Sequence, residues 1–255
     1  MANTVFDNKI IEARAKDLLT TAVNTRNLMA VDTSLTQEAG MTKTINVYTY
    51  TGEAEELGAG EGNTTRGSIA YAGKDYTVKL VQQAFDYQDE DFMKDDNVVD
   101  MGVKGATQLM TNKMTADFVG ECEKATLSVP GPFGYDTIVD AIAEMNIEDE
   151  SGLFVLTNPD GKAELRKDPD YVAARMGEVV YNGQVGTIAG LPVIVSKAVT
   201  NNFVAHKDAI KLFMKKDVEV EQDRDADTRT NSIYLRAAYI VALEDATKIV
   251  KIPNA

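Results

Sequence analysis

The chain has 255 residues, 44% hydrophobic and 26% charged, enough to bury one large core or two smaller ones and too apolar for intrinsic disorder. Its 40 acidic residues against 26 basic ones give a formal charge of −14, which repels phosphate backbones and anionic membrane surfaces and argues against nucleic acid as a direct ligand. Cys122 is the only cysteine, which rules out an intrachain disulfide and the usual cysteine-based zinc sites and suits a reducing compartment.

The opening run MANTVFDNKIIEARAK lacks the charged-then-apolar layout of a secretion signal. No apolar run approaches the ~20 residues that span a bilayer, so a soluble protein is expected. Ile11, Ala15, Leu18 and Ala22 recur at helical spacing and predict an amphipathic helix. Lys9, Arg14, Lys16, Arg26 and Lys43 balance Asp7, Glu12, Asp17, Asp32 and Glu38. Residues 1–50 are thus neutral in an acidic chain, suited to lie against an acidic surface, a sister subunit's included.

Two β-prone runs follow, KTINVYTYT from Lys43 and KDYTVKLVQQAFDY from Lys74, and they predict the arms of one hairpin projecting roughly 30 Å. Its tip falls in YTYTGEAEELGAGEGNTTRG, residues 48–67, with five glycines, four glutamates and little to bury except Leu57. A loop this long marks a functional excursion, and nothing in its own sequence is expected to hold it down. Gly58, Gly60 and Gly62 do not make a phosphate cradle: no helix follows, no lysine is present, and Glu55, Glu56 and Glu61 would repel the anion.

DYQDEDFMKDDNVVD, residues 86–100, sets seven carboxylates against Lys94, more than a helix dipole favours, so most are expected to face solvent or a partner. From Asn97 to about Thr126, Val99, Val103, Ala106, Met110, Met114, Phe118, Cys122 and Ala125 predict one long spine helix. Its Met101, Met110 and Met114 are expected to pack in the core or against a neighbour, and Cys122 to be an inert buried thiol. SVPGPFG, residues 128–134, breaks the chain. Asp136 is then expected to cap a helix carrying Ile138, Val139, Ile142 and Met145, and Leu153–Leu156 a buried strand. A turn at Thr157-Asn158-Pro159-Asp160 leads to a short helix through Leu165. The last hundred residues, from VGTIAGLPVIVS onward, are β-rich.

Catalytic chemistry is sparse. His206 is the only histidine and is expected in a surface or satisfied structural role and not as a general base. Asp223, Asp225 and Asp227 have the start of a calcium loop, but Thr228 and Tyr234 stand where that motif needs glycine and glutamate. The acidic runs at 86–100 and 217–227 could supply a pair of catalytic carboxylates, but no tryptophan is present to stack on a sugar. No enzyme activity, cofactor or metal is expected.

GQVGTIAGLPVIVSKAV, followed by AIKLFMKKDVEVEQDRDADTRTNSIYLRAAYIVALEDATKIVKI, resembles the closing segment of tailed-bacteriophage major capsid proteins of the Hong Kong 97 (Johnson) fold. The order of these runs carries the likeness, which extends to the whole chain as architecture. It implies an α+β fold: an N-terminal arm (1–42), an E-loop β-hairpin (43–87), a peripheral domain with the spine helix (88–130) and an axial α/β domain (131–207). Strands of 208–255 would return to complete the peripheral domain.

The implied function is that of a major capsid protein self-assembling into an icosahedral shell around phage double-stranded DNA. The partners are then further copies of itself in hexamers and pentamers, a portal protein, a separate scaffolding protein and decoration proteins, in a virion assembled in the host bacterial cytoplasm. Glu53, Glu55, Glu56, Leu57, Glu61 and Arg66 of the hairpin, with Arg14 and Arg26 of the arm, are the expected inter-subunit contacts. Lys104, Lys113 or Arg229 would face the glutamates. Residues 48–73 contain no lysine for the isopeptide cross-link of some family members, so a noncovalent shell is expected. An encapsulin-like nanocompartment shell is the alternative.

Overall fold

The computed structural model describes residues 10–15, 25–37, 39–95, 97–169 and 187–254. Its core is a long helix laid on a four-stranded sheet. The helix, α3 (Val98–Cys122), follows α1 (residues 10–15) and the short α2 (Asp89–Lys94). At 1.5 Å per residue it is about 38 Å long. Val99, Val103, Ala106, Met110, Met114, Phe118 and Cys122 form its buried stripe, as the spacing predicts.

The sheet runs β1 (Ala30–Asp32), β10 (Ile210–Asp225), β11 (Thr230–Leu243), β4 (Lys79–Gln88). Ile233, Leu235, Ala237, Tyr239 and Val241 of β11 share a cluster with the α3 stripe. The intervening Ala238, Ile240 and Ala242 face the other way, into a smaller cluster with Leu35, Ile45, Tyr76, Val78 and Phe213. Period-two alternation thus sends one strand's side chains into two cores.

A six-stranded sheet orders β5 (Leu127–Ser128), β12 (Ile249–Ile252), β9 (Asn202–His206), β6 (Leu153–Thr157), β8 (Leu191–Val195), β7 (Thr187–Ile188). All five residues of β6 are buried, and α4 (Tyr135–Met145) and α5 (Pro159–Lys167) pack beside the sheet. Asn158 caps α5, accepting a 2.6 Å hydrogen bond from the Gly161 amide, with Pro159 in the first turn.

Three expectations are corrected. The run from Lys74 is not one hairpin arm. The hairpin pairs β2 (Thr42–Thr51) with β3 (Ser68–Thr77), and residues 79–88 form β4 of the four-stranded sheet. The change of sheet comes at Val78, whose amide donates to the Met41 carbonyl at 2.7 Å while its side chain and that of Tyr76 are buried at the hairpin base.

The last strand, β12, does not return to the sheet of β10 and β11 but pairs with β5 and β9. Its Ile249 joins the α3 core while Val250 and Ile252 fill the core beneath α4. Asp136 does not cap α4. The Asp168 carboxylate accepts from the Tyr135 amide at 2.7 Å, so the end of α5 closes the start of α4.

Candidate assembly surface

Strands β2 and β3 pair along their full length, from Thr42 opposite Thr77 to Thr51 opposite Ser68, about 33 Å of two-stranded ribbon. The ribbon is fixed at its base, where the Tyr76 hydroxyl donates to the Leu243 carbonyl at 3.3 Å and Lys74 and Lys124 lie over the Tyr76 ring.

The register decides what each face carries, because directly opposed residues share a face. Ile45 and Tyr76 belong to the face that turns toward the body at the base. Tyr48 opposite Tyr71, and Tyr50 opposite Ile69, belong to the other. These four side chains are 66%, 73%, 67% and 68% exposed, in that order. An isolated two-stranded ribbon is marginal in water, and a contiguous apolar patch on it needs a cover.

Past the ribbon, Gly52 and Gly67 form a neck. A Cβ on Gly52 would stand 2.8 Å from the Gly67 Cα and 2.8 Å from the Tyr50 hydroxyl, so the two limbs close under the phenol only because both are glycine. In the loop beyond, Glu53, Glu56 and Arg66 are exposed and Leu57 is 43% exposed. Glu55 and Glu61 turn back onto the loop: Thr64 and Thr65 bond to Glu55, and the Gly58 amide donates to Glu61 at 3.0 Å. The expectation that nothing in the loop's own sequence holds it is therefore corrected, since short hydroxyl and glycine donors lie within reach of both carboxylates.

The arm is tied to its own subunit. Ile11 and Ala15 are buried in the α3 core, and Arg14 pairs with Asp100 at 2.8 Å. The Arg26 side chain, with Leu18 and Ala22, lies outside the described residues. Of the carboxylates at 86–100, Asp89 pairs with Arg224 (2.8 Å), Glu90 with Arg229 (3.0 Å) and Asp91 with Lys94 (3.3 Å). With Asp100 on Arg14, four of the seven carboxylates of that run are paired within the chain, two of them because Arg224 and Arg229 at the β10–β11 end lie alongside α2, and none of the described ones is buried, so the run still faces solvent as expected. Sequence spacing gives no sign of this pairing, since the partners lie far apart in the chain.

One surface has the opposite character. Between Met101 and Ala116 the chain has Lys104 and Lys113 and no acidic residue. Lys104, Gln108, Leu109, Asn112 and Lys113 line the exposed side of α3. Lys113 reaches Asp117 at 3.4 Å, and among the described residues Lys104 forms no ion pair. Beside them a shallow groove of about 370 Å³ runs between α3 and β4, lined by Leu80, Gln82, Gln83, Leu109 and Met110 among others, with Leu80 64% and Leu109 54% exposed. An acidic loop with an apolar tip and a cationic groove with apolar walls are complementary. In the sequence this groove leaves no signature beyond the acid-free window, because its walls come from elements that the fold brings together.

His206, Asp225 and Cys122, three groups weighed for chemistry, have structural roles. The His206 Nε2 lies 2.7 Å from the Ser151 carbonyl and its Nδ1 accepts from the Asp208 amide, which joins two loops. The Asp225 carboxylate accepts from the Asp227 amide and the Thr228 hydroxyl and so shapes a turn. Cys122 is fully buried, and burial pushes its thiol pKa far up, beyond reach of a thiolate at neutral pH.

A family model described as phage capsid protein matches residues 71–252. The major capsid protein of Staphylococcus phage phiMR11 is 25% identical over 235 residues, covering 87% of this chain and 84% of that protein. Among solved structures, that of Gordonia phage Cozz superposes with a TM-score of 0.70 at 11% identity over 90% of this chain and 85% of that one. A virus-like particle from Pyrococcus furiosus superposes with a TM-score of 0.67 at 10% identity over 97% and 100%. The α+β fold of the Hong Kong 97 type expected from the sequence is the one these structures share. With the family model spanning most of its length, the chain belongs to the phage capsid protein family.

Proposed function

We infer that this capsid protein works as the repeating tile of an icosahedral head shell enclosing double-stranded DNA, the hairpin of each copy lying in the α3–β4 groove of the next. The observation that carries the docking is the tyrosine face of the hairpin, unburied along a ribbon that projects from the body. The charge contrast between residues 52–63 and the α3 surface supports the direction of contact. Glu53, Glu56 and Leu57 are the contact residues at the tip, Lys104 and Lys113 their counterparts; Arg229, held by Glu90, is not needed. Arg14, held by Asp100, belongs to the arm's own docking.

The role is structural and not enzymatic, which the engagement of His206 and Cys122 supports. A net charge of −14 on every subunit repels packed DNA from the wall, screened beyond about 8 Å at physiological salt. A portal protein, a separate scaffolding protein and decoration proteins are the further partners, and assembly takes place in the host cytoplasm. The likeness to the virus-like particle from Pyrococcus furiosus favours one second reading, a compartment shell of encapsulin type with protein cargo.

The test is expression of the chain alone and together with its genomic neighbours, followed by electron microscopy and analysis of particle contents. Closed shells of uniform size are expected, holding DNA when the packaging genes are present. A monomer under every condition would overturn the assembly reading, and a protein cargo without DNA would decide for the compartment.

A further inference from the structure

The four glutamates of the hairpin tip do two different jobs. Glu53 and Glu56 point to solvent, whereas the Glu55 carboxylate spans the loop. Its Oε2 accepts from the Thr64 amide at 2.7 Å, and its Oε1 accepts from the Thr64 hydroxyl at 2.7 Å and the Thr65 amide at 2.8 Å. The Thr65 hydroxyl donates to the same oxygen. These bonds tie the outgoing limb of the loop at Glu55 to the returning limb at Thr64 and Thr65. Glu61 closes a second, smaller turn inside the first, its amide donating to the Gly58 carbonyl at 3.1 Å.

The hydroxyls of Thr65 and Thr64 hold the Glu55 pKa down to about 2, so the carboxylate is ionised wherever a shell could form. Bonds to a charged acceptor are the stronger kind. A free loop rich in glycine would lose backbone entropy residue by residue on docking, and a loop already folded has met that cost in the monomer.

We propose that Glu55 is a positioning residue for shell assembly, whose carboxylate pre-folds the hairpin tip so that Glu53, Glu56 and Leu57 reach the next subunit in a fixed arrangement. Glu55 then acts through the loop and touches no neighbour. This rests on the reading of the hairpin as the contact element.

The test compares Glu55→Gln, Glu55→Asp and the double variant Thr64→Val/Thr65→Val with Glu56→Gln, in the full chain. Hydrogen exchange is read on the unassembled subunit, and the critical concentration for particles by light scattering and electron microscopy. Exchange at the Thr64 and Thr65 amides should rise by about tenfold or more in Glu55→Gln and Glu55→Asp, and stay unchanged in Glu56→Gln. Glu55→Asp keeps the charge but is one methylene too short to span the loop. The double valine variant keeps Glu55 itself. Both should raise the critical concentration by about tenfold or more, as Glu55→Gln does.

If the double valine variant assembles like the wild type while Glu55→Gln fails, Glu55 contacts the neighbour directly and the proposal is overturned. Unchanged exchange in Glu55→Gln overturns it as well. A wild-type chain that never forms particles refutes the assembly reading and with it any assembly role for Glu55, while the exchange data still report whether Glu55 folds the loop.

Discussion

Replacing Tyr71 with alanine should leave the subunit as stable as before and sharply raise the concentration at which shells form. Tyr71 is 73% exposed and its ring neighbour among the described residues is Tyr48, at a centroid distance of 6.2 Å. Truncating an exposed side chain usually changes stability by no more than about 0.5 kcal/mol. A buried tyrosine covers on the order of 200 Å², so docking can remove about 150 Å² more of Tyr71 from water, worth roughly 3–4 kcal/mol at 25 cal/mol per Å². Alanine retains part of this, which leaves a loss of about 2–3 kcal/mol per contact, or roughly 30- to 150-fold in affinity. Urea denaturation of the unassembled subunit and the critical concentration from light scattering would be measured side by side. A critical concentration within about threefold of wild type would show that the tyrosine face is not a contact surface.

Acidification should weaken the fold through Asp117 and Glu123. Burial raises the pKa of each, but hydrogen bonds from Lys79 and Tyr239 to Asp117, and from Lys251, Asn201 and Thr200 to Glu123, outweigh it and hold both carboxyls below their ordinary range. Their contribution is full above the unfolded values of about 3.9 and 4.3 and is lost as pH falls through the lower folded values. Urea midpoints should therefore hold down to about pH 5 and drop below pH 4, with a shallower drop in Asp117→Asn and Glu123→Gln; equal slopes in wild type and variants would contradict this. Glycines within α3 should respond with opposite sign. Gly102→Ala would set a Cβ 2.3 Å from the Phe85 ring and destabilise by about 1–3 kcal/mol. Gly120→Ala meets nothing within 4 Å among the described residues and should stabilise the free subunit by up to about 1 kcal/mol, read from thermal midpoints. Cys122 should resist an aromatic disulfide reagent in the native subunit and react once the chain is unfolded; labelling of the folded protein would show that α3 opens locally.

How much was legible follows from where the information lies. The α3 stripe, β6 and the turn into α5 at residues 157–160 depend on residues a few positions apart, so spacing and turn residues sufficed, whereas the cap expected of Asp136 is supplied by the distant Asp168. The division of residues 74–87 between two sheets was hidden, because no glycine or proline marks Val78 and what pins it, burial against β10 and β11 and the bond to the Met41 carbonyl, comes from residues distant in the chain.

The sequence by itself determined that this chain needs company: a glycine-rich acidic loop on β-prone arms has too little to bury alone, and the charge of −14 sets the whole against DNA. Only the tertiary structure decided which charges remain for a partner. Arg14, Arg224, Arg229 and Glu55 look equally available in the sequence, yet each finds a partner within the chain. Coulomb and hydrogen-bond energies fall off over a few ångströms, and separations of that order are set by the fold and not by distance along the chain.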